Sequence, residues 1–387
     1  MNVLIIHRYF WPESVSTLPI MLKDIAHFHF DQGDNVSVVC GAEESFKEDY
    51  FKEFGNELHV DYFLSKADRD LNIFGRLKNV LSLFLLAKKF VALNPNIDLV
   101  YVVSYPPLLA GVISKYIRAK NKTAKVVYIV QDIIKYRVPT SFGKLMYGFF
   151  HKLTLKQASF VTTLSESMKS ELLSLFRTSE HKKMEKRIWI IPNYSTDEIE
   201  LGQVMPAKRI DIIYAGNHGY AQNLYHFIDV LAEFDGVKKP KVSFFGNGTE
   251  RQRLIDYAQE KGVNIDFNET IGREEVQGRM SESRFGLVGA MPGLMRYAFP
   301  SKLAAYNAAG TRAILMAEET NEVSEWLRES EFGDVMDPTD VKLASKQLES
   351  ILSAKFGSYA ADDLREKSAL FYSKNNYIDR LKDMLES

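Results

Sequence analysis

The chain has 387 residues, which is long for one hydrophobic core and comfortable for two. A hydrophobic fraction of 46%, a charged fraction of 26% and a formal net charge of −1 are ordinary for a soluble globular protein and give no overall pull toward nucleic acid. The single cysteine, Cys40, excludes an internal disulfide, and no cleavable signal sequence precedes the first apolar run, so a reducing cytoplasm is the expected compartment.

Short apolar runs of strand length recur along the first half at Val3–Ile6, Val36–Val39, Leu99–Val103, Val126–Val130 and Phe160–Thr163, with helical patterns between them. This alternation predicts a parallel sheet wrapped by helices. One helical stretch, Ile73–Leu93, is interrupted by Arg76, Lys78, Lys88 and Lys89 and falls short of a membrane-spanning segment. It sets Phe74, Leu77, Leu81, Phe84, Leu85 and Lys88 at helical spacing, and Lys144–Lys156 mixes Met146, Tyr147, Phe149 and Phe150 with lysines. Core packing accounts for such stripes, and their basic borders also suit an anionic membrane surface. The basic run His181–Arg187 reads as a solvated loop. Ile188–Ile191 is strand-like, and the polar stretch that follows is expected to be a linker at about residues 193–208.

The pattern then restarts at Ile210–Ala215, Val242–Phe245, Val263–Phe267, Phe285–Ala290 and Arg312–Met316. Just before the last run, Phe299–Gly310 reads as a helix, with Pro300 suited to its first turn and Gly310 to its stop. The helix dipole disfavours a lysine in a first turn, so Ser301 and Lys302 beside free N–H groups make sense with a phosphate there. The plain alternative is that Lys302 points into water.

Two open parallel sheets facing each other would form a cleft, and ligands of such sheets bind beyond the carboxyl ends of the strands. The rule selects His7, Ser104, Gln131 with Asp132, and Ser165 in the first half. In the second it selects Gly216 with Asn217, Gly246 with Asn247 and Gly248, and the loop from Met291 to Lys302. No Gly-x-Gly-x-x-Gly fingerprint follows the first strand, which makes hydride transfer a poor fit.

Six segments in order resemble the glycosyltransferase family 4 type of the GT-B fold, and within it the branch of bacterial N-acetyl-fucosamine transferases of O-antigen and capsule assembly. They are Asn2–Glu13, Ala158–Met168, Tyr214–Asn223, Phe244–Arg251, Pro300–Lys302 and Ala308–Gly310, so the likeness covers most of the chain. It implies an acceptor-side domain over residues 1–192, a nucleotide-sugar domain over 209–365, and a terminal helical segment, 366–387, that braces the first domain. It also implies retention of anomeric configuration. Three departures stand out. Relatives carry a ribose-binding glutamate where this chain has Ala305, a glycine after the first-loop Pro-Glu where it has Ser14-Val15-Ser16, and often a phosphate-binding lysine where it has Tyr220.

The chemistry needs positive and dipolar groups around a departing diphosphate. Lys302 is the first candidate, with Ser301 and the turn Gly216, Asn217, His218 and Gly219 as donors. Gly246, Asn247, Gln222 and Arg296 complete the donor set. Asp132 is a candidate to orient or deprotonate an acceptor hydroxyl, or simply the N-cap of the next helix. Glu13 has a similar claim from the first loop. The histidines lack metal-ligand spacing, so no metal or cofactor is expected. The expected partners are a nucleotide sugar, a glycan or polyprenyl-linked acceptor and an anionic membrane surface, but no nucleic acid. The expected activity is sugar transfer from a nucleotide donor, a UDP-sugar, in surface polysaccharide synthesis. A non-catalytic GT-B partner subunit and a sugar-nucleotide epimerase stand as alternatives.

Overall fold

A computed structural model of the chain describes residues 1–10, 17–42, 58–64, 72–104, 107–137, 140–196, 206–236, 238–353 and 358–387. Glu13 and the Ser14-Val15-Ser16 stretch lie outside the described residues. Contacts divide the chain into two units, Met1–Pro192 with Ile378–Ser387, and Asn193–Tyr377.

The first unit is built on a parallel sheet of β1 (Asn2–Ile6), β2 (Asn35–Ala42), β3 (His59–Leu64), β4 (Leu99–Val103), β5 (Lys125–Ile129), β6 (Phe160–Thr163) and β7 (Ile188–Ile190). Their spatial order is β3-β2-β1-β4-β5-β6-β7. The central strands are buried on both faces, which is why they read as unbroken Val, Ile and Leu runs. β3 escapes a sequence search because it is an edge strand, only partly buried and carrying His59 and Asp61. The crossovers are α1 (Thr17–Asp31), α2 (Ile73–Leu93), α3 (Pro107–Lys120) and α4 (Ser141–Gln157), followed by α5 (Glu166–Leu173) and α6 (Thr178–Glu185).

The basic run at His181 is therefore largely helix, not loop. Glu180 accepts the Arg177 N–H at 3.3 Å, Lys182 and Lys183 sit favourably in the last turn, and buried Met184 anchors the segment. Within this unit the terminal segment packs on the sheet, with Arg380 Nη1 donating to Ile190 O at 3.4 Å and Lys125 Nζ to Leu385 O at 3.4 Å.

The second unit holds β8 (Ile210–Ala215), β9 (Val242–Phe245), β10 (Ile265–Asn268), β11 (Ser283–Gly289), β12 (Arg312–Met316) and β13 (Gly333–Met336), all parallel, in the order β10-β9-β8-β11-β12-β13. Its helices are α7 (Leu224–Ala232), α8 (Arg251–Glu260), α9 (Arg273–Ser281), α10 (Lys302–Ala308), α11 (Glu322–Glu329), α12 (Val341–Ser353) and α13 (Ser358–Phe371); α14 (Lys374–Glu386) follows. Two apolar clusters cover the sheet. One contains Leu303, Tyr306 and Leu327, and the other Tyr214, Phe227 and Phe244. In both sheets the strand order reverses about the first strand, between β1 and β4 and between β8 and β11. Such reversals open a crevice at the carboxyl edge.

Candidate functional site

The reversal in the second unit is where the candidate donor residues gather. β8 and β11 pair from Ser283↔Ile210 to Gly286↔Ile213 and then part. The Tyr306 hydroxyl fills the opening, accepting the Ala215 N–H at 3.0 Å and donating to Leu287 O at 3.3 Å. Its ring passes over Gly286, where a Cβ would collide with it. Burial raises the phenol pKa, so Tyr306 keeps its proton.

Lys302 lies one turn before Tyr306 on the same helix face, so anchoring the tyrosine aims the lysine. The Lys302 ammonium donates to Tyr214 Oη at 3.0 Å and stands 4.3 Å from the centre of that ring. Tyr214 in turn donates to Asn217 O at 2.6 Å, and burial raises its pKa too. The described partners of Lys302 are thus a phenol and an aromatic face, with no carboxylate among them. Loss of solvent lowers the Lys302 pKa to about 8, so it is mostly charged at neutral pH but holds its proton less tightly than a surface lysine.

Two glycine turns close around this ammonium. Gly216 has φ 143°, and a Cβ there would stand 2.5 Å from Lys302 Cε. Gly246 has φ 132°, and a Cβ there would run into Gly216 O. The turns are laced together by Gly216 N–H to Phe245 O at 2.9 Å, His218 N–H to Asn247 O at 2.8 Å and Glu250 N–H to His218 O at 2.9 Å. A third loop joins from β11, where Met291 N–H donates to Ala221 O at 3.0 Å.

Inside this lacing, three buried side-chain atoms have no partner among the described residues: Nδ1 and Nε2 of His218, and Oε1 of Gln222. The His218 ring rests among Tyr214, Phe244 and Phe267. Burial lowers its pKa to about 4, with Arg251 and Lys302 adding repulsion. It is a neutral ring beneath the turn. Arg251, which sequence reasoning did not single out, pairs with Glu269 at 3.2 Å behind it.

The structure therefore brings Gly216, Asn217, His218, Gly219, Gln222, Gly246, Asn247 and Lys302 together. The anion-binding helix is shorter than its sequence pattern, running Lys302–Ala308 with Pro300 ahead of it and Ser301 as the exposed cap residue. Ser301 makes no side-chain cap bond. Arg296 is exposed in the short 3₁₀ turn Leu294–Arg296. Ala305 packs against the apolar cluster of α10, so no carboxylate occupies that position. Tyr214 and Tyr306 were missed because a tyrosine in an apolar run reads as core; their spacing from Gly216 and Lys302 was the available signal.

In the first unit, Asp132 is exposed just beyond β5, ahead of a 3₁₀ turn at Ile134–Arg137. His7 is buried at the end of β1, its Nδ1 at 2.5 Å from Tyr9 O, and burial lowers its pKa to about 4. It is a satisfied strand-end residue. Among the described residues no group of three His, Cys, Asp or Glu could hold a metal ion.

No protein-family model matches the chain, and neither does any curated protein. Solved structures match it over its whole length. Anabaena Alr3699/HepE in complex with UDP shares 15% identity at TM-score 0.68, covering 100% of both chains. The lipopolysaccharide outer core galactosyltransferase WaaB, in its apo form, shares 13% at TM-score 0.65, covering 100% of this chain and 99% of the other. An S. aureus TarM mutant in complex with Fondaparinux, alpha-GlcNAc-glycerol and UDP shares 8% at TM-score 0.68, covering 100% of both. At these identities the likeness is one of fold. With two parallel-sheet units of seven and six strands, it assigns the GT-B fold to this chain.

Proposed function

We propose that the protein is a retaining glycosyltransferase of the family 4 type that moves a sugar from a UDP-sugar to a glycan or lipid-linked acceptor in surface polysaccharide synthesis. One observation carries the reading: a cationic lysine with no carboxylate partner among the described residues, held at the strand-order reversal against two interlocked glycine turns. UDP in two of the similar structures supports the choice of nucleotide.

In this reading the diphosphate lies over Gly216–Gly219, where the missing side chains of Gly216 and Gly219 let the turn approach it closely and the Asn217 and Gly219 N–H groups face it, those of Gly216 and His218 being used within the lacing. Lys302 neutralises the charge that grows on the departing phosphate oxygen as the anomeric carbon becomes electron-poor. Burial strengthens that interaction, because less water competes for the ammonium. Gln222 and His218 supply polar groups that have no partner among the described residues. Asp132 orients the acceptor hydroxyl and takes its proton. Residues 1–192 serve as the acceptor half, 209–365 as the donor half, and the protein works as a peripheral one at the inner face of a membrane.

Ala305 favours a second reading, a non-catalytic partner of the same fold, since it offers no acceptor to the ribose hydroxyls. Thermal stabilisation by UDP, GDP, ADP and CMP separates the two. A UDP-selective rise lost in Lys302→Ala supports the enzyme, and no rise with any nucleotide supports the partner.

A further inference from the structure

The first unit carries a surface that sugar transfer itself does not use. α2, α3 and α4 contain no aspartate or glutamate, while carrying four, three and three lysines and arginines respectively. In a chain with 50 acidic residues, three surface helices without one make a marked charge asymmetry. Along α2, Phe74, Leu77, Leu81 and Leu85 form an exposed line that ends in Lys88. Along α4, Phe142, Leu145 and Phe149 form a second exposed line that continues into Lys152 and Lys156. Phe74 is 77% exposed and Phe142 72%, which is not how core stripes end up.

The two lines belong to one layer. α3 packs beside both helices, with Lys88 Nζ 5.8 Å from the Tyr116 ring centre, and with Gly111 allowing close approach of α4 (a Cβ there would stand 3.1 Å from Phe150 O). All three helices cross between parallel strands, so each begins at the carboxyl edge of the sheet and returns toward the amino edge. The start of the layer thus adjoins the edge that bears Asp132 and mixes the apolar lines with Arg76, Lys78 and Lys144, while Lys88, Lys89, Lys152 and Lys156 lie farther back.

We propose that this layer is a docking surface for an anionic lipid bilayer, with its phenylalanines and leucines entering the interface and its lysines on headgroup phosphates. The inference rests on reading the first unit as the acceptor half and names the surface that brings it to a lipid-borne acceptor. Charge decides the occupant. A second copy would set one carboxylate-free basic face against another, whereas an acidic bilayer complements both the lysines and the apolar line. No helix among the described residues is long and apolar enough to cross the membrane, so contact is interfacial.

The test is co-sedimentation of the full chain with phosphatidylcholine vesicles, with and without phosphatidylglycerol, at low and high salt. We expect binding to the anionic vesicles alone, weakened by salt. Phe74→Ser/Leu77→Ser and Phe142→Ser/Leu145→Ser should each reduce partitioning at least about ten-fold, and Lys78→Glu/Lys89→Glu should abolish the preference for anionic lipid. Equal binding to both vesicles, no binding, or wild-type binding by all variants overturns the proposal. So does a dimer in sedimentation equilibrium that the same variants dissociate. UDP stabilisation, measured on each variant, reports folding and the donor site separately, so loss of vesicle binding with UDP response intact concerns this surface only.

Discussion

Replacing Tyr214 by Phe tests how the donor site holds its cation. The substitution keeps the ring 4.3 Å from the Lys302 ammonium and removes the hydroxyl that accepts from it at 3.0 Å and donates to Asn217 O at 2.6 Å. A hydrogen bond to a charged group contributes about 1.5–3 kcal/mol, which corresponds to roughly 10- to 150-fold in affinity if the ammonium loses its position. UDP affinity measured by calorimetry at pH 7 should therefore fall at least about ten-fold.

The pH profile adds a second readout. Lys302, with a pKa lowered to about 8, binds the diphosphate in its charged form, so affinity declines as pH rises through that region. Without the phenol to accept its proton, Lys302 becomes a weaker base and the alkaline decline moves to lower pH. A folded Tyr214→Phe protein with UDP affinity within about two-fold of wild type and an unmoved alkaline limb would refute the reasoning.

Gly216→Ala forces a side chain into φ 143° and against Lys302 Cε, so denaturant unfolding should show a loss of about 1–3 kcal/mol and UDP stabilisation should disappear. Asp132→Asn should abolish transfer in a UDP-sugar assay while leaving the UDP-induced rise in melting temperature intact. His7, His151 and His218 each have a folded pKa lowered to about 4 by burial, against 6.5 in the unfolded chain. The unfolded state then binds more protons, so each contributes stability present above pH 6.5 that is lost toward pH 4, at about 1.4 kcal/mol per pH unit. Urea unfolding between these values should show a shallower slope for His151→Gln than for wild type.

Strands buried on both faces announced themselves as apolar runs, and the restart at Ile210 marked the second sheet. Of the four edge strands, β7 and β10 were legible as Ile188–Ile191 and Val263–Phe267, but β3 and β13 were not: they are short or half-polar, and only their place beside β2 and β12 makes them strands. The glycine turns and Lys302 were legible because glycine and a first-turn lysine each break a local preference. Tyr214 and Tyr306 were not, since the hydroxyls that matter hang on rings indistinguishable in sequence from core. The helix at His181 was hidden because its lysines look solvated, and its one anchor, Met184, gives no period.

Lys302 belongs to a helix but is fastened from the sheet, by a strand tyrosine that is itself tied to the following turn. A free lysine side chain gives up about 1.5–2 kcal/mol of rotamer entropy when it grips an anion. Here that freedom is already restricted before any ligand arrives, so the cation is preorganised and an incoming diphosphate has less to order. The same fastening makes the site sensitive to β8: anything that shifts the end of that strand moves the charge, even with α10 undisturbed.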